Sequence, residues 1–377
     1  MMKLRLAVAN VTGGGLSGGY RKYLKHMFPL LEVSPDVGEM LVLLPPQHSD
    51  LLKPSVGHSR TVAVRNTAGA FEELRRFNAD VVFTPTARSV ARTTWPEVVM
   101  VHNMEPLTVP FGGNRLSECI KNLLRSFVAK TACQRATRII AVSHHVHDFL
   151  VSKWNLPMSR IGTVYHGIDL PESSVQTRMP EALAGLSGRF LFTAGSIRPA
   201  RGLEDAVAAM PRIVRQMNDI VLVVAGKPDP GTQFWLGRLQ RLASQLGVSQ
   251  HIHWAGQLDK CELAWCFRHC EAFVSTTRAE ACPFTTLEAM SFGCQTVSTS
   301  QAPMPEFLQE SAVYYEPKHT QELAAKVVQV LVGPAERRSA RQSAALVRAR
   351  DFDWAKTLEH TVEQFRRAVA LFAVRRH

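Results

Sequence analysis

The chain has 377 residues, 46% hydrophobic and 20% charged, an ordinary globular composition that gives room for two or three domains. No run of about 18 apolar residues occurs, which excludes a membrane-spanning helix, and Met1 leads into an apolar run without a signal-peptide layout. Its 44 Lys and Arg against 32 Asp and Glu leave a net charge of +12, which calls for an anionic partner: a nucleotide, an acidic lipid surface or nucleic acid.

Short β-like runs alternate with helical patterns from end to end, the signature of parallel α/β sheets. In the first half the predicted strands are Leu4–Ala9 and residues 40–44, 81–84, 98–102, 138–142 and 161–165. The first loop, residues 13–20, contains Gly13-x-Gly15-x-x-Gly18 between a strand and a helix. The acid that a dinucleotide-binding unit needs about 20 residues on is missing, and Leu43-Leu44-Pro45-Pro46 stands there instead, which counts against NAD. Close backbone approach to a substrate or phosphate remains one reading of this loop, and a tight structural turn the other.

His102 ends the fourth predicted strand, His144 and His145 follow the fifth, and His166 the sixth. A lone histidine is commonly a packing residue, but the C-terminal end of a parallel strand is where ligands bind, and His102 has the best claim by that rule. Residues 115–135 form a helical pattern with Arg115, Lys121, Arg125, Lys130 and Arg135 around an apolar stripe of Leu116, Ile120, Leu123, Leu124, Phe127 and Val128. The stripe reads as a buried face with the basic residues in solvent, and a membrane-surface contact is the alternative.

Residues 171–180 are polar, bracketed by Pro171 and Pro180 and without periodicity, which marks a linker. The expected division is an N-terminal domain over 1–170, a linker over 171–188, a second doubly wound domain over 189–353 and a C-terminal helix over 354–377 that packs back toward the N-terminal domain. The two domains are expected to face each other across a cleft. Strands are predicted at residues 189–194, 220–225, 251–254, 272–275, 295–299 and 312–315. After the first of these, Gly195-Ser196-Ile197-Arg198-Pro199-Ala200-Arg201-Gly202 puts two arginines beside a glycine turn at a helix start, which suits a diphosphate. A solvated surface loop is the competing account.

Residues 280–290 carry Glu280 and Glu288 on either side of the point where strand gives way to helix, with Cys282, Pro283, Phe284 and Thr285 between them. Carboxylates suit sugar hydroxyls, and the amides from Phe284 onward suit an anion. Thr285-x-x-Glu288 also reads as a capping box. The seven cysteines are scattered without Cys-x-x-Cys pairs, which argues against zinc and for free thiols in a reducing cytosol.

With these pieces in order, the chain resembles the retaining family 4 glycosyltransferases, which have the GT-B fold of two Rossmann-like domains. Residues 280–290 match the family's Glu-x7-Glu signature, 195–202 its phosphate loop and 13–20 its N-terminal glycine loop. The strand ending in Ser143, the segment His166-Gly167-Ile168-Asp169 and the Pro305-Glu306 pair fall in the family's order too. The resemblance implies that Glu280 contacts donor-sugar hydroxyls, Glu288 the ribose, and Arg201 the diphosphate, with His102 near the sugar. Gly15, Ser196, Arg198, Cys282, Pro283, Phe284 and Thr285 complete the donor site it implies. It departs from the family in three places: Ser196 stands where arginine is common, Arg201 where lysine is usual, and Gln295 where proline is frequent.

The function so implied is transfer of a hexosyl unit from a UDP- or GDP-linked sugar to a glycan or lipid-linked acceptor, with retention and without a metal or other cofactor. Bacterial surface polysaccharide assembly in the cytoplasm, with peripheral contact at the inner face of an anionic membrane and no nucleic-acid partner, is the implied setting. A catalytically idle nucleotide-sugar-binding or scaffold subunit is the alternative, motivated by Ser196. Nucleic-acid binding has only the net charge behind it.

Overall fold

The computed structural model describes residues 3–10, 18–51, 59–90, 94–108, 113–172, 176–186, 188–229 and 231–374. Gly15 and its neighbours in the first glycine loop lie outside these residues, so its proposed donor contact has no structural account. The chain divides into two units, one of Met1–Leu107, Leu116–Gly167 and Phe352–His377, the other of Thr108–Arg115 and Ile168–Asp351.

The first unit is a seven-stranded parallel sheet of β1 (Leu4–Ala9), β2 (Val37–Leu44), β3 (Ser59–Ala63), β4 (Val81–Thr84), β5 (Glu97–Val101), β6 (Arg138–Ala141) and β7 (Ile161–Thr163), in the order β3-β2-β1-β4-β5-β6-β7. Strands β4, β5 and β6 are buried at every position, as parallel strands covered on both faces must be, and they read as continuous apolar runs for that reason. Strand β3 escapes the sequence because it is an edge strand whose Ser-Arg-Thr-Val-Ala pairs on one side only and stays half exposed. The helix Trp354–Val374 packs on this unit against the helix Gly18–Glu32 and strands β4 to β6. Phe365 meets Phe83 at 5.0 Å, and Thr357 donates to the Tyr165 carbonyl at 2.9 Å. Gly167 lies under the start of this helix, where a Cβ would stand 2.4 Å from the Trp354 amide nitrogen.

The helix Leu116–Arg135 overturns the buried-stripe reading. Leu116 is 78% exposed and Phe127 71%, while the helix turns Cys119, Ala129, Ala132 and Cys133 inward. Periodicity located the stripe but could not say which face meets the sheet. Small residues won the inner face because they allow close approach.

The second unit is a six-stranded parallel sheet of β8 (Arg189–Ala194), β9 (Ile220–Ala225), β10 (Ile252–Gly256), β11 (Ala272–Ser275), β12 (Thr296–Thr299) and β13 (Ala312–Tyr315), ordered β10-β9-β8-β11-β12-β13. The chain contributes Thr108–Arg115 to this unit and enters its main body at Ile168, and the stretch read as a linker is partly structured within it. Leu183, on the turn Glu181–Leu183, is fully buried in a core with Phe190, Phe192, Phe267 and Phe273. A few apolar residues scattered among polar ones give no periodicity, so the composition concealed it. In both sheets the strand order reverses beside the unit's first strand, between β1 and β4 and between β8 and β11. Ligands of doubly wound sheets bind outside the strand ends at such switch points.

Candidate active site

Strands β8 and β11 deliver their loops side by side at the second switch point. Beyond β8 the chain turns through Gly195, at φ +136°, and forms the tight turn Pro199–Arg201 before the helix Leu203–Gln216 opens. Gly202 between them sits at φ +60°, and a Cβ there would stand 2.2 Å from the Thr276 carbonyl oxygen. No other residue fits so close to the β11 loop. The Thr276 hydroxyl donates to the Arg201 carbonyl at 2.8 Å and the Thr277 hydroxyl to that of Ala200 at 3.3 Å, while the Arg278 amide donates to Ala200 at 2.8 Å. The two loops are thereby locked backbone to side chain.

The helix Leu203–Gln216 begins with two carboxylates, Glu204 and Asp205, which alone would repel an anion from its N-terminus. Arg278 neutralises them, at 2.7 Å from Glu204 and 2.9 Å from Asp205. Asp205, 2% exposed, also accepts from the Tyr315 hydroxyl at 3.3 Å and the Lys318 amide at 2.9 Å. Burial first, and Asp205 second, push the Tyr315 hydroxyl well above its ordinary pKa, so it stays a donor at any working pH.

Arg201 folds back along the Gly195 backbone, its guanidinium carbon 3.5 Å from where a Cβ would be, and Nη1 donates to Glu280 Oε1. Thr277 lies 3.4 Å from the same carboxylate oxygen. The pair is mostly withdrawn from solvent, with side-chain exposures of 24% for Arg201 and 12% for Glu280. Beside it opens a small pocket lined by Gly195, Ser196, Arg201, Thr277, Thr285 and Thr286, floored by apolar residues of β8, β9 and β11.

The sequence-predicted residues thus sort themselves. Ser196, Arg201 and Thr285 line one cavity, and Glu280 joins them through Arg201. Cys282 is buried, Pro283 is the N-cap of the helix Phe284–Ser291, and Phe284 is its first residue. Because the helix starts at Phe284, Thr285 and Glu288 lie inside it and no side chain caps its first turn. The capping-box reading is therefore wrong: the helix begins earlier than that motif requires. Glu288 is half-buried on the same helix. Arg198 turns aside, its Nη1 3.4 Å from Asp229 Oδ2. Sequence reasoning missed Thr276, Thr277 and Thr286, although the run Ser275-Thr276-Thr277 directly after an apolar strand was a usable signal.

In the first unit His102 follows β5, half-buried, its ring stacked on Tyr20 at 4.7 Å. Burial lowers its pKa to about 4, so it is a neutral imidazole at neutral pH. His166, 2% exposed, packs on Tyr23 at 4.6 Å and on Trp354 at 6.5 Å. Burial, and secondarily His102, take its pKa down to about 3. His166 is a core residue here, in a cluster that includes the C-terminal helix. Among the described residues no group of three or more His, Cys, Asp or Glu is placed to hold a metal ion.

Comparison with known proteins gives two family matches, Glycosyltransferase Family 4 over residues 46–172 and Glycosyl transferases group 1 over residues 177–347. The chain is 26% identical to a glycogen synthase of Mycobacterium tuberculosis over 230 residues, covering 60% of this chain and 53% of that enzyme. It thus matches about half the length of that relative. It is 23% identical to a D-inositol 3-phosphate glycosyltransferase of Mycobacterium leprae, covering 76% of this chain and 68% of that protein. Among solved structures, a glycosyltransferase of Rickettsia africae superposes with TM-score 0.74 at 15% identity over 97% of this chain and 98% of its own. Anabaena Alr3699/HepE in complex with UDP-glucose does so with TM-score 0.74 at 15% identity, over 96% and 98%. At such identities the superpositions establish the fold.

Proposed function

The chain belongs to the group 1, family 4 glycosyltransferases, and from that premise we propose that it moves a hexosyl unit from a nucleotide sugar to a glycan or lipid-linked acceptor, with retention. The observation that carries this reading is the Arg201–Glu280 pair, whose arginine lines a pocket between two locked loops at the sheet's switch point. Departure of a nucleoside diphosphate from an oxocarbenium-like carbon needs positive charge at the leaving oxygens. Arg201 supplies it, and when it swings to the diphosphate it releases Glu280 to accept from sugar hydroxyls. Neutral His102 suits a hydroxyl rather than a phosphate, so the charge at the leaving group falls to Arg201 and the helix amides. Glu288 is assigned the ribose. The UDP and UDP-glucose complexes of HepE favour a uridine nucleotide, with GDP-linked sugars next to be tried. The metal-free mechanism, a place in surface polysaccharide assembly at the cytoplasmic membrane face, and the absence of a nucleic-acid partner are parts of the same proposal.

A second reading, an idle nucleotide-sugar-binding subunit, has Ser196 and the engagement of Arg198 with Asp229 in its favour. A panel of nucleotide sugars assayed for nucleoside-diphosphate release decides between them. Turnover with one donor is expected, falling about 10²-fold or more in Glu280→Ala and Arg201→Ala. Binding without turnover for every donor and acceptor tried establishes the idle subunit, and wild-type rates in Glu280→Ala remove the site assignment.

A further inference from the structure

Arg278 comes two residues before Glu280, yet its side chain runs back against the Arg201 turn. A Cβ on Gly202 would stand 3.2 Å from its Nε and 3.3 Å from its Cγ. From there Nη1 lies 2.7 Å from Glu204 and Nη2 2.9 Å from Asp205. Acids in the first turn of a helix ordinarily stabilise it by occupying the positive end of its dipole. These two come three and four residues after Arg201, the cation that lines the donor pocket. Unopposed, they would compete with a diphosphate for its charge.

The two acids differ in what they have left to give. Asp205 is filled: Oδ1 takes Arg278, and Oδ2 takes the Tyr315 hydroxyl and the Lys318 amide. Glu204 is not. Its Oε1 takes Arg278, while among the described residues its buried Oε2 has no hydrogen-bond partner, and Arg238 is a lesser influence on it. Glu204 is therefore the acid that would turn on Arg201 if Arg278 were lost. A planar guanidinium holds both carboxylates at once, which a point charge on a flexible stem does less well. We propose that Arg278 is a positioning residue for the donor: by holding Glu204 and Asp205 it leaves Arg201 available to the diphosphate. It acts through Arg201 and not on the reacting atoms. The inference rests on the donor-site reading of the pocket and names the group that keeps its anion subsite electropositive.

Titration of the intact chain with UDP and GDP, and with uridine and guanosine, tests it without any turnover. The parent is expected to bind one of the diphosphates, and Arg278→Gln to bind it about tenfold more weakly. Affinity for the matching nucleoside, which carries no phosphate, should change by less than about twofold. Adding Glu204→Gln to Arg278→Gln should return the diphosphate to within about threefold of the parent, because the unopposed acid is gone. Arg278→Lys, which keeps the charge and loses the fork, should fall between the parent and Arg278→Gln. Thermal melting shows which variants fold, and if Arg278→Gln does not, Arg278→Lys with and without Glu204→Gln carries the same comparison. Equal loss for diphosphate and nucleoside, or a loss that Glu204→Gln does not reduce, makes Arg278 a structural brace and overturns the proposal. Parental diphosphate affinity in Arg278→Gln overturns it as well. A parent that binds neither diphosphate overturns the donor-site reading, and this inference with it.

Discussion

His166 and His102 are held neutral by their surroundings, with pKa values of about 3 and about 4 against an ordinary 6.5, burial being the first cause for each. Below pH about 6.5 the unfolded chain takes up protons that the native chain refuses until its own lower values are reached. Stability is therefore full above that range and is lost as pH falls, by on the order of a few kcal/mol near pH 4 from these two groups. His166→Phe, which keeps a ring against Tyr23 and Trp354, is expected to melt within a few degrees of the parent at pH 7 and to lose less on going to pH 5. Parallel melting curves against pH for parent and variant would refute this. The sequence placed His102 and His166 correctly after strands, but it carried no sign that one is half-buried and the other a core residue, because the Trp354 that covers His166 comes from far along the chain. Arg201 and Glu280 show the opposite case. Each was marked by its own motif, and only their mutual pairing was hidden, since 79 residues separate them.

At the scale of elements, the helix Trp354–Val374 is fastened by a buried polar contact. Arg138, 3% exposed, donates from Nε to Gln364 Oε1 at 3.2 Å, and a Cβ on Gly162 would collide with the same Gln364 side chain at 2.3 Å. Gln364→Leu leaves Nε and Nη2 of the guanidinium without their acceptor, only Nη1 keeping the Ser159 carbonyl, and is expected to cost about 2–3 kcal/mol. Pairing it with Arg138→Leu should return part of that loss, because two apolar groups restore a dry contact. A denaturant titration in which the double variant is no better than the single one contradicts the account. The strands of both sheets were legible because parallel strands buried on both faces leave continuous apolar runs. The edge strand β3 and the outward face of Leu116–Arg135 were not, since local pattern gives periodicity and omits which neighbour, if any, covers each face.

At the scale of the whole molecule, the division into two Rossmann-like units was readable from the alternation of strand and helix patterns. The C-terminal helix was expected to pack back toward the first domain, and what no local signal fixed was the point of return, at Phe352. Removing residues 352–377 uncovers Phe83 and the faces of β4 to β6, so the first unit is expected to become sensitive to limited proteolysis. Residues 168–351 should survive as a resistant fragment that still shows a thermal shift with nucleoside diphosphate. Equal resistance of the first unit in the full and shortened chains would count against this. The same return path bears on synthesis. Domains ordinarily finish in the order in which the ribosome delivers them, at about 5–20 residues per second. Here the unit begun first is finished last: its sheet waits, one face uncovered, until the helix Trp354–Val374 has left the exit tunnel, while the later-begun unit has its complete complement of strands once Asp351 emerges. During that interval an exposed parallel sheet is the part of the nascent chain with most need of a chaperone.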